Sequence, residues 1–337
     1  MVRVRLLLSA LCVATAMGRA DAQCTPAVQH LIDGLHFDQA RAAVQPVIAR
    51  NANDDAALHC MGDIHFAMGQ PGDAADWYDK AVKANGKVAL HHLWLANALG
   101  EQAPHTSKFK LPFLAKRVKS EFDAAATLDP TSIDARHGLI QYYSRAPSIM
   151  GGSMDKAKAQ AAAISQLNPM RGHLEMAALL QHDHDVAGAE REFNAAVAAS
   201  PDSVVAQYSL AAFYQSEKRW AEAFAIYDRV IAAMPGQLMA RFQYGRAAAV
   251  SGLNMDRGES ELKSFLTAAT DSISATTRAG AHVRLGAIYE RRGNQEEARA
   301  EYKAALAINP QNADAKKALA TTSATGATSS RVRPPAR

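Results

Sequence analysis

The chain has 337 residues, 48% hydrophobic and only 7% aromatic, long enough for two ordinary domains. Its formal charge of +4 is concentrated at the ends: Arg3, Arg5 and Arg19 against Asp21 at the start, Arg331, Arg333 and Arg337 at the finish. What lies between is near neutral, which argues against nucleic acid as a main partner.

Residues 1–22 have the layout of a secretory signal peptide. Arg3 and Arg5 form the positive start, Leu6 to Met17 the apolar core, and Ala20-Asp21-Ala22 an A-x-A cleavage site before Gln23. The apolar run is too short to span a bilayer and stay there. A bacterial lipoprotein needs a small residue directly before its modified cysteine; Gln23 before Cys24 and Leu11 before Cys12 do not supply one. The expected destination is the periplasm or beyond.

From Cys24 onward one pattern recurs. Ala40, Val44, Val47 and Ala52 give a weak first copy, and Met61-Gly62 followed by Ala74, Tyr78, Ala81 and Gly86 a regular second. Val118, Phe122, Ala125 and Pro130 match it, as do Ala157, Ala161, Ile164 and Pro169. Met176-Ala177 and Leu180 precede Ala189, Phe193, Ala196 and Pro201; Leu210-Ala211 and Tyr214 precede Ala223, Tyr227, Val230 and Pro235. Tyr244-Gly245 with Gly258, Leu262 and Phe265 is a degenerate copy. The cleanest runs from Ala279 to Asn312, where Leu285-Gly286 and Tyr289 are followed by Ala298, Tyr302, Ala305 and Pro310. Large residues at helical spacing predict a helix through Arg292, Gly293-Asn294 breaks it, and Gln295 to Ile308 forms a second helix. Gly286 and Ala298 let the two helices lie close while Tyr289 and Tyr302 fill the wider gaps.

This pattern resembles the tetratricopeptide repeat, a helix–turn–helix unit of 34 residues; His282 stands where that motif favours Trp. The resemblance implies an all-α, right-handed superhelical solenoid of about eight tetratricopeptide helix–turn–helix repeats. The array is expected over residues 23–320 as one uninterrupted core, with Asp314 to Ala320 as a capping helix and residues 321–337 as a disordered polar tail. Removal of residues 1–22 leaves Cys24 and Cys60, an even number in an oxidising compartment. Both fall in the first helices of neighbouring units, so they either bridge and clamp the weak first repeat or remain two buried thiols.

Two units depart from the plain pattern. The third carries about ten extra residues between Leu99 and Val118, including HTSKFKLPFLAKR, and the fourth about five between Tyr143 and Ala157, in RAPSIMGGSMDK. Gly151-Gly152 reads as a turn and Ser153 as the N-cap of the next helix. With their flanking segments these insertions resemble a group of exported tetratricopeptide proteins of Gram-negative bacteria. Both sit at the turn inside their units, so the expectation is a small satellite core in which Phe109 and Phe113 meet Ile149 or Met150. The alternative is an exposed patch in which aromatic and basic residues interleave. The unit at Leu238 is expected to be stretched by Ser272 to Thr277.

Catalytic motifs are missing: there is no G-x-S-x-G, H-E-x-x-H, C-x-x-C or C-x-x-C-H. His92, His173 and His282 take the place the repeat gives to Trp, and packing explains them. His182-Asp183-His184-Asp185 is the only run with ligand-like density, and it lies on a turn where adjacent side chains rarely converge on one ion. The expectation is therefore no enzyme, no cofactor and no metal. In the family, the first helix of each repeat lines a groove that holds peptides or protein segments. Carried over by register, the lining residues are His59, Asp63, Asn97, Glu101, His137, Gln141, Arg145, Tyr208, Gln215, Phe242, Arg246 and Glu290. The resulting reading is a periplasmic protein-binding scaffold within an envelope assembly or secretion complex. The alternative is an envelope accessory touching lipid or peptidoglycan through the basic insertion at residues 105–117. Cleavage after Ala22 predicts a mature chain beginning at Gln23; intact-mass analysis of the exported fraction showing only a full-length, membrane-bound species would overturn it.

Overall fold

The structure, a computed structural model, describes residues 24–269 and 273–329; the proposed cleavage site and Cys12 lie outside them. The described residues form helices and no strand. They gather into two compact units, one up to Leu167 and one from Asn168, where the sequence reading carries a single uninterrupted array.

The first unit holds four helix pairs: α1 (Pro26–Asp33) with α2 (Phe37–Arg50), α3 (Asp55–Ala67) with α4 (Pro71–Ala84), α5 (Ala89–Gln102) with α6 (Leu111–Leu128), and α7 (Ile133–Arg145) with α8 (Met154–Leu167). The second holds four more and a last helix: α9 (Pro169–His182) with α10 (Val186–Ala199), α11 (Val204–Ser216) with α12 (Trp220–Ala233), α13 (Leu238–Ser251) with α14 (Met255–Ala268), α15 (Ala275–Arg291) with α16 (Gln295–Ile308), then α17 (Ala313–Ser329). Within each unit every helix packs on the next. The α16 limits are those read from the sequence. α15 starts earlier than expected, because Ser274 caps it by accepting from Thr277 N at 3.2 Å. Ser272 falls outside the described residues, and Ala275 to Thr277 belong to the helix rather than to a stretched linker. α17 continues past Ala320 to Ser329, through residues assigned above to the tail.

One contact explains the pairing. A Cβ on Gly62 would stand 2.4 Å from the ring of Tyr78, and one on Gly286 2.5 Å from that of Tyr302. Only a bare backbone lets the aromatic ring lie flat on the facing helix, and both tyrosines are fully buried, each burial worth about 1.5–3 kcal/mol. The degenerate copy keeps the geometry with an aliphatic side chain, Leu262 against Gly245. In the fourth pair the large residue is lost to Ala161, and Phe122 from the preceding helix fills the space over Gly138 instead.

The turn inside the pair also repeats. At Gly69 and Gly293 the backbone is left-handed, at φ 71 and 82. The glycine's own amide and the next point back into the first helix: Gly69 N to Phe66 O and Gln70 N to His65 O, each 3.0 Å, in the manner of a glycine C-cap. Leu35, His184 and Lys218 hold the same conformation without being glycine.

Cys24 and Cys60 are joined, with a Cα–Cα distance of 5.0 Å. Cys24 lies just ahead of α1 rather than in it, before the cap Thr25, so the bond ties the start of the first pair to α3. That pair buries only Val28, Ile32, Ala40 and Val44 from its own helices.

The satellite core is not formed. Phe109 is 90% exposed, Phe113 78% and Ile149 94%. α6 has 18 residues where α4 has 14, and its first turn, Leu111 to Phe113, is exposed. Leu114 and Val118, one turn on, reach the core of the second and third pairs. The other insertion is a short 3-10 turn, Ser148–Met150, fixed to α7 by Tyr142 donating to Met150 O and Ser153 N donating to Tyr143 O. That fixing turns Ile149 outward.

Closing a loop with a sequence separation of 36 is expected to contribute about 2–4 kcal/mol. Denaturant unfolding of the folded chain with and without reductant measures it, and identical midpoints would show that the bond contributes nothing.

Candidate functional site

In the first unit the first helices carry a buried polar network. His59 on α3 is 1% exposed, its ring 4.9 Å from Tyr78 and 4.9 Å from His91. It therefore offers no surface to a partner, contrary to the register reading, because α5 covers it. His91 Nδ1 lies 3.0 Å from His59 Nδ1, and His91 Nε2 donates to Asp55 Oδ2 at 3.1 Å. On the other side His59 Nε2 is 3.4 Å from Asp63 Oδ1, which also accepts from the Tyr78 hydroxyl at 2.8 Å. Asn85 donates to Asp55 at 2.9 Å. Two imidazoles thus stand between two carboxylates, with one proton shared across the Nδ1–Nδ1 contact. Burial pushes the pKa of His91 down, against the pull of Asp55. Burial also works to raise that of Asp55, but its bonds from His91 and Asn85 leave it lowered.

The other expected lining residues of this unit are separate from the network. Asn97 is half-buried, Glu101 and Arg145 are exposed, and His137 bonds Gln141 one turn along α7 at 2.8 Å.

In the second unit the expected residues form a chain of contacts. The Tyr208 ring on α11 lies 6.1 Å from that of Tyr227, and its hydroxyl, buried without a hydrogen-bond partner, has its pKa pushed up to about 12. Gln215 donates to the Tyr227 hydroxyl at 2.5 Å. Burial raises the pKa of Tyr227, while Arg246 on α13, charged and hydrogen-bonding, holds it back. Phe242 packs on Phe265 at 5.4 Å. Glu290 on α15 accepts from Tyr302 at 2.8 Å. Arg284, missed by the register reading, completes the set. Burial lowers its pKa, Asp314 and Tyr302 oppose the fall, and the charge of Arg246 adds to it. Arg246 and Arg284 each keep a buried Nε without a hydrogen-bond partner.

The histidines at the Trp position share a partner as well as a register. His92 Nδ1 meets Glu121 at 2.6 Å, His173 meets Glu192 at 2.7 Å, and His282 meets Glu301 at 2.7 Å. In each, the first helix of a pair reaches its own second helix. Arg136 with Gln160 and Arg241 with Glu261 occupy the corresponding places in two other pairs. Packing alone was the sequence explanation; a polar clasp is what the structure contains. Only the glutamates nineteen residues on, or twenty-nine across the first insertion, signal it in the sequence.

His182-Asp183-His184-Asp185 is the turn from α9 to α10. Asp185 is engaged as the helix cap, accepting from Gly188 N at 2.8 Å, and His184 supplies the left-handed residue. Among the described residues no three His, Cys, Asp or Glu side chains gather as a metal site.

Models of the tetratricopeptide repeat match residues 279–312, and residues 26–89 and 174–237. A tetratricopeptide repeat protein from Parabacteroides merdae ATCC 43184 superposes with a TM-score of 0.51 at 16% identity, over 80% of this chain and 98% of that one. The chain is a tetratricopeptide-repeat protein. Yeast Tom70 shares the fold with a TM-score of 0.62 at 13% identity, over 87% of this chain and 59% of its own. No curated protein matches the sequence. Tetratricopeptide repeats are protein-interaction scaffolds in general, and the fold carries that reading here.

The His59–His91 contact has a pH signature. His91 titrates below its ordinary 6.5, so the unfolded chain binds the proton first as pH falls. Its contribution is whole above about 6.5 and is lost as pH drops towards the folded value. A second proton on His91 would set hydrogen against hydrogen at the Nδ1–Nδ1 contact. Between about pH 7.5 and pH 5 the native chain should lose more stability than His91→Gln in urea titrations; equal losses would remove His91 from the account.

Proposed function

We propose that this protein is an exported scaffold that holds a segment of a partner protein along the first helices of its second unit, with an acidic group of that segment against Arg246 and Arg284. The observation that carries this reading is the pair of arginines. Two half-buried like charges repel each other, their inner nitrogens lack hydrogen-bond partners, and Tyr208 leaves a hydroxyl unpartnered on the same series of helices. A carboxylate would relieve the repulsion and accept from both guanidinium groups. Phe242 and Tyr208 supply apolar contact area beside it, as peptide grooves on helical scaffolds do. No covalent chemistry is assigned to the surface.

Export rests on the pattern of residues 1–22, and it agrees with a Cys24–Cys60 bond, which persists in an oxidising compartment and not in a reducing one. An assembly of the cell envelope is the setting this favours.

The test is recovery of partners from a periplasmic extract on immobilised mature protein. Tyr208→Ala with Phe242→Ala should lower recovery at least tenfold, and Arg246→Glu should do so for the same partner. Arg229→Ala with Lys303→Ala, exposed positions on the second helices α12 and α16, should leave it unchanged. The reverse pattern would place binding on the other face.

A further inference from the structure

The insertion ahead of α6 has properties that the scaffold reading does not use. From Ser107 to Phe113 every residue is exposed, Phe109 by 90% and Phe113 by 78%. Phe113 borders an open cleft of about 690 Å³ with Leu99 and Leu114 on its apolar side, yet does not fold into it. Exposed aromatic groups of this size, four residues apart in the chain, mark a contact surface.

The charge along this stretch of sequence is of one sign. No Asp or Glu lies between Glu101 and Glu121, a span that holds Lys108, Lys110, Lys116, Arg117 and Lys119. Arg117 is engaged with Asp79 and Glu121, and Lys119 with Asp123 at 2.5 Å. Glu121 is further held by His92. Lys108, Lys110 and Lys116 are exposed and make no ion pair among the described residues. The nearby carboxylates are therefore occupied, and three cations remain around two exposed rings.

That composition selects among occupants. Protein interfaces are depleted of lysine at their centres, where a strongly hydrated ammonium would be stripped of water. Here Lys108 and Lys110 flank Phe109 in sequence. An anionic lipid surface suits the arrangement: ammonium groups stay at the level of the headgroup phosphates on long stems while rings enter the apolar boundary beneath. We infer that residues 108–116 dock on an anionic lipid surface, with Lys108, Lys110 and Lys116 at the phosphates and Phe109 and Phe113 in the interfacial layer. No helix of the described residues is long and apolar enough to cross a membrane. The contact is independent of the arginine-lined surface of the second unit.

Flotation of the mature protein with vesicles tests it. Vesicles of phosphatidylcholine with about a third phosphatidylglycerol should carry at least tenfold more protein than phosphatidylcholine alone, and the difference should shrink severalfold from low to high salt. Phe109→Ser with Phe113→Ser should lower binding at least fivefold, and so should Lys108→Glu with Lys110→Glu and Lys116→Glu. Leu253→Ser, an exposed apolar site in the second unit, should leave it unchanged, with circular dichroism checking the fold of each variant. Absence of binding to the anionic vesicles, equal binding to both compositions, or full binding by the phenylalanine variant would overturn the inference. Self-association without lipid that the phenylalanine variant abolishes would also overturn it, assigning the patch to a second copy of the chain.

Discussion

Everything else in the two units depends on how closely the paired helices approach. Gly62 under Tyr78, Gly245 under Leu262 and Gly286 under Tyr302 leave no room for a Cβ, so a large side chain on one helix presses directly on the backbone of its partner. Close packing of this kind uses dispersion contacts across the whole ring face and fixes the separation of the helices. With that separation fixed, the left-handed turn between them needs few residues, and the same hydrogen bonds close it at Gly69, His184, Lys218 and Gly293.

Because the seam inside each pair is filled by small and large apolar residues, the remaining positions of the first helices are free to carry polar groups. They do so in two ways. One is the clasp that recurs at His92, His173 and His282, where a polar pair takes the place of a packed indole. The other is local: the His59–His91 network in the first unit and the Tyr208, Arg246 and Arg284 series in the second. The first is enclosed and saturated, the second half-open and short of hydrogen-bond partners. Chemistry that is saturated holds a fold together, and chemistry that is not has something left to give a ligand.

The pairs and their order were legible because the repeat signal is local. Gly286, Ala298 and Tyr302 recur at fixed spacing whatever surrounds them, and α16 begins and ends where the spacing places it. The site was legible only in part. His59 sits at a lining register, but whether it faces solvent is decided by His91 on another helix pair. Arg284 lies off the lining register, and only the fold brings its half-buried side chain near the charges of Arg246 and Asp314. The insertions mislead for a different reason. Phe109 and Ile149 have the composition of core residues, and only the extra turn of α6 and the pinned turn after α7 decide that nothing covers them.

A stack of helix pairs has two ends, and each end pair lacks the neighbour that supports those inside. Among the described residues the first pair and the last helix are secured by different means. α17 lies on α16 through non-covalent packing, while a covalent bond holds the start of the first pair to α3. In the oxidised chain α1 and α2 therefore stay tethered to α3 even when their packing opens, while α17 is held by packing alone. Reduction leaves both to non-covalent packing alone. The redox state of one bond thus decides whether the first pair can part from α3.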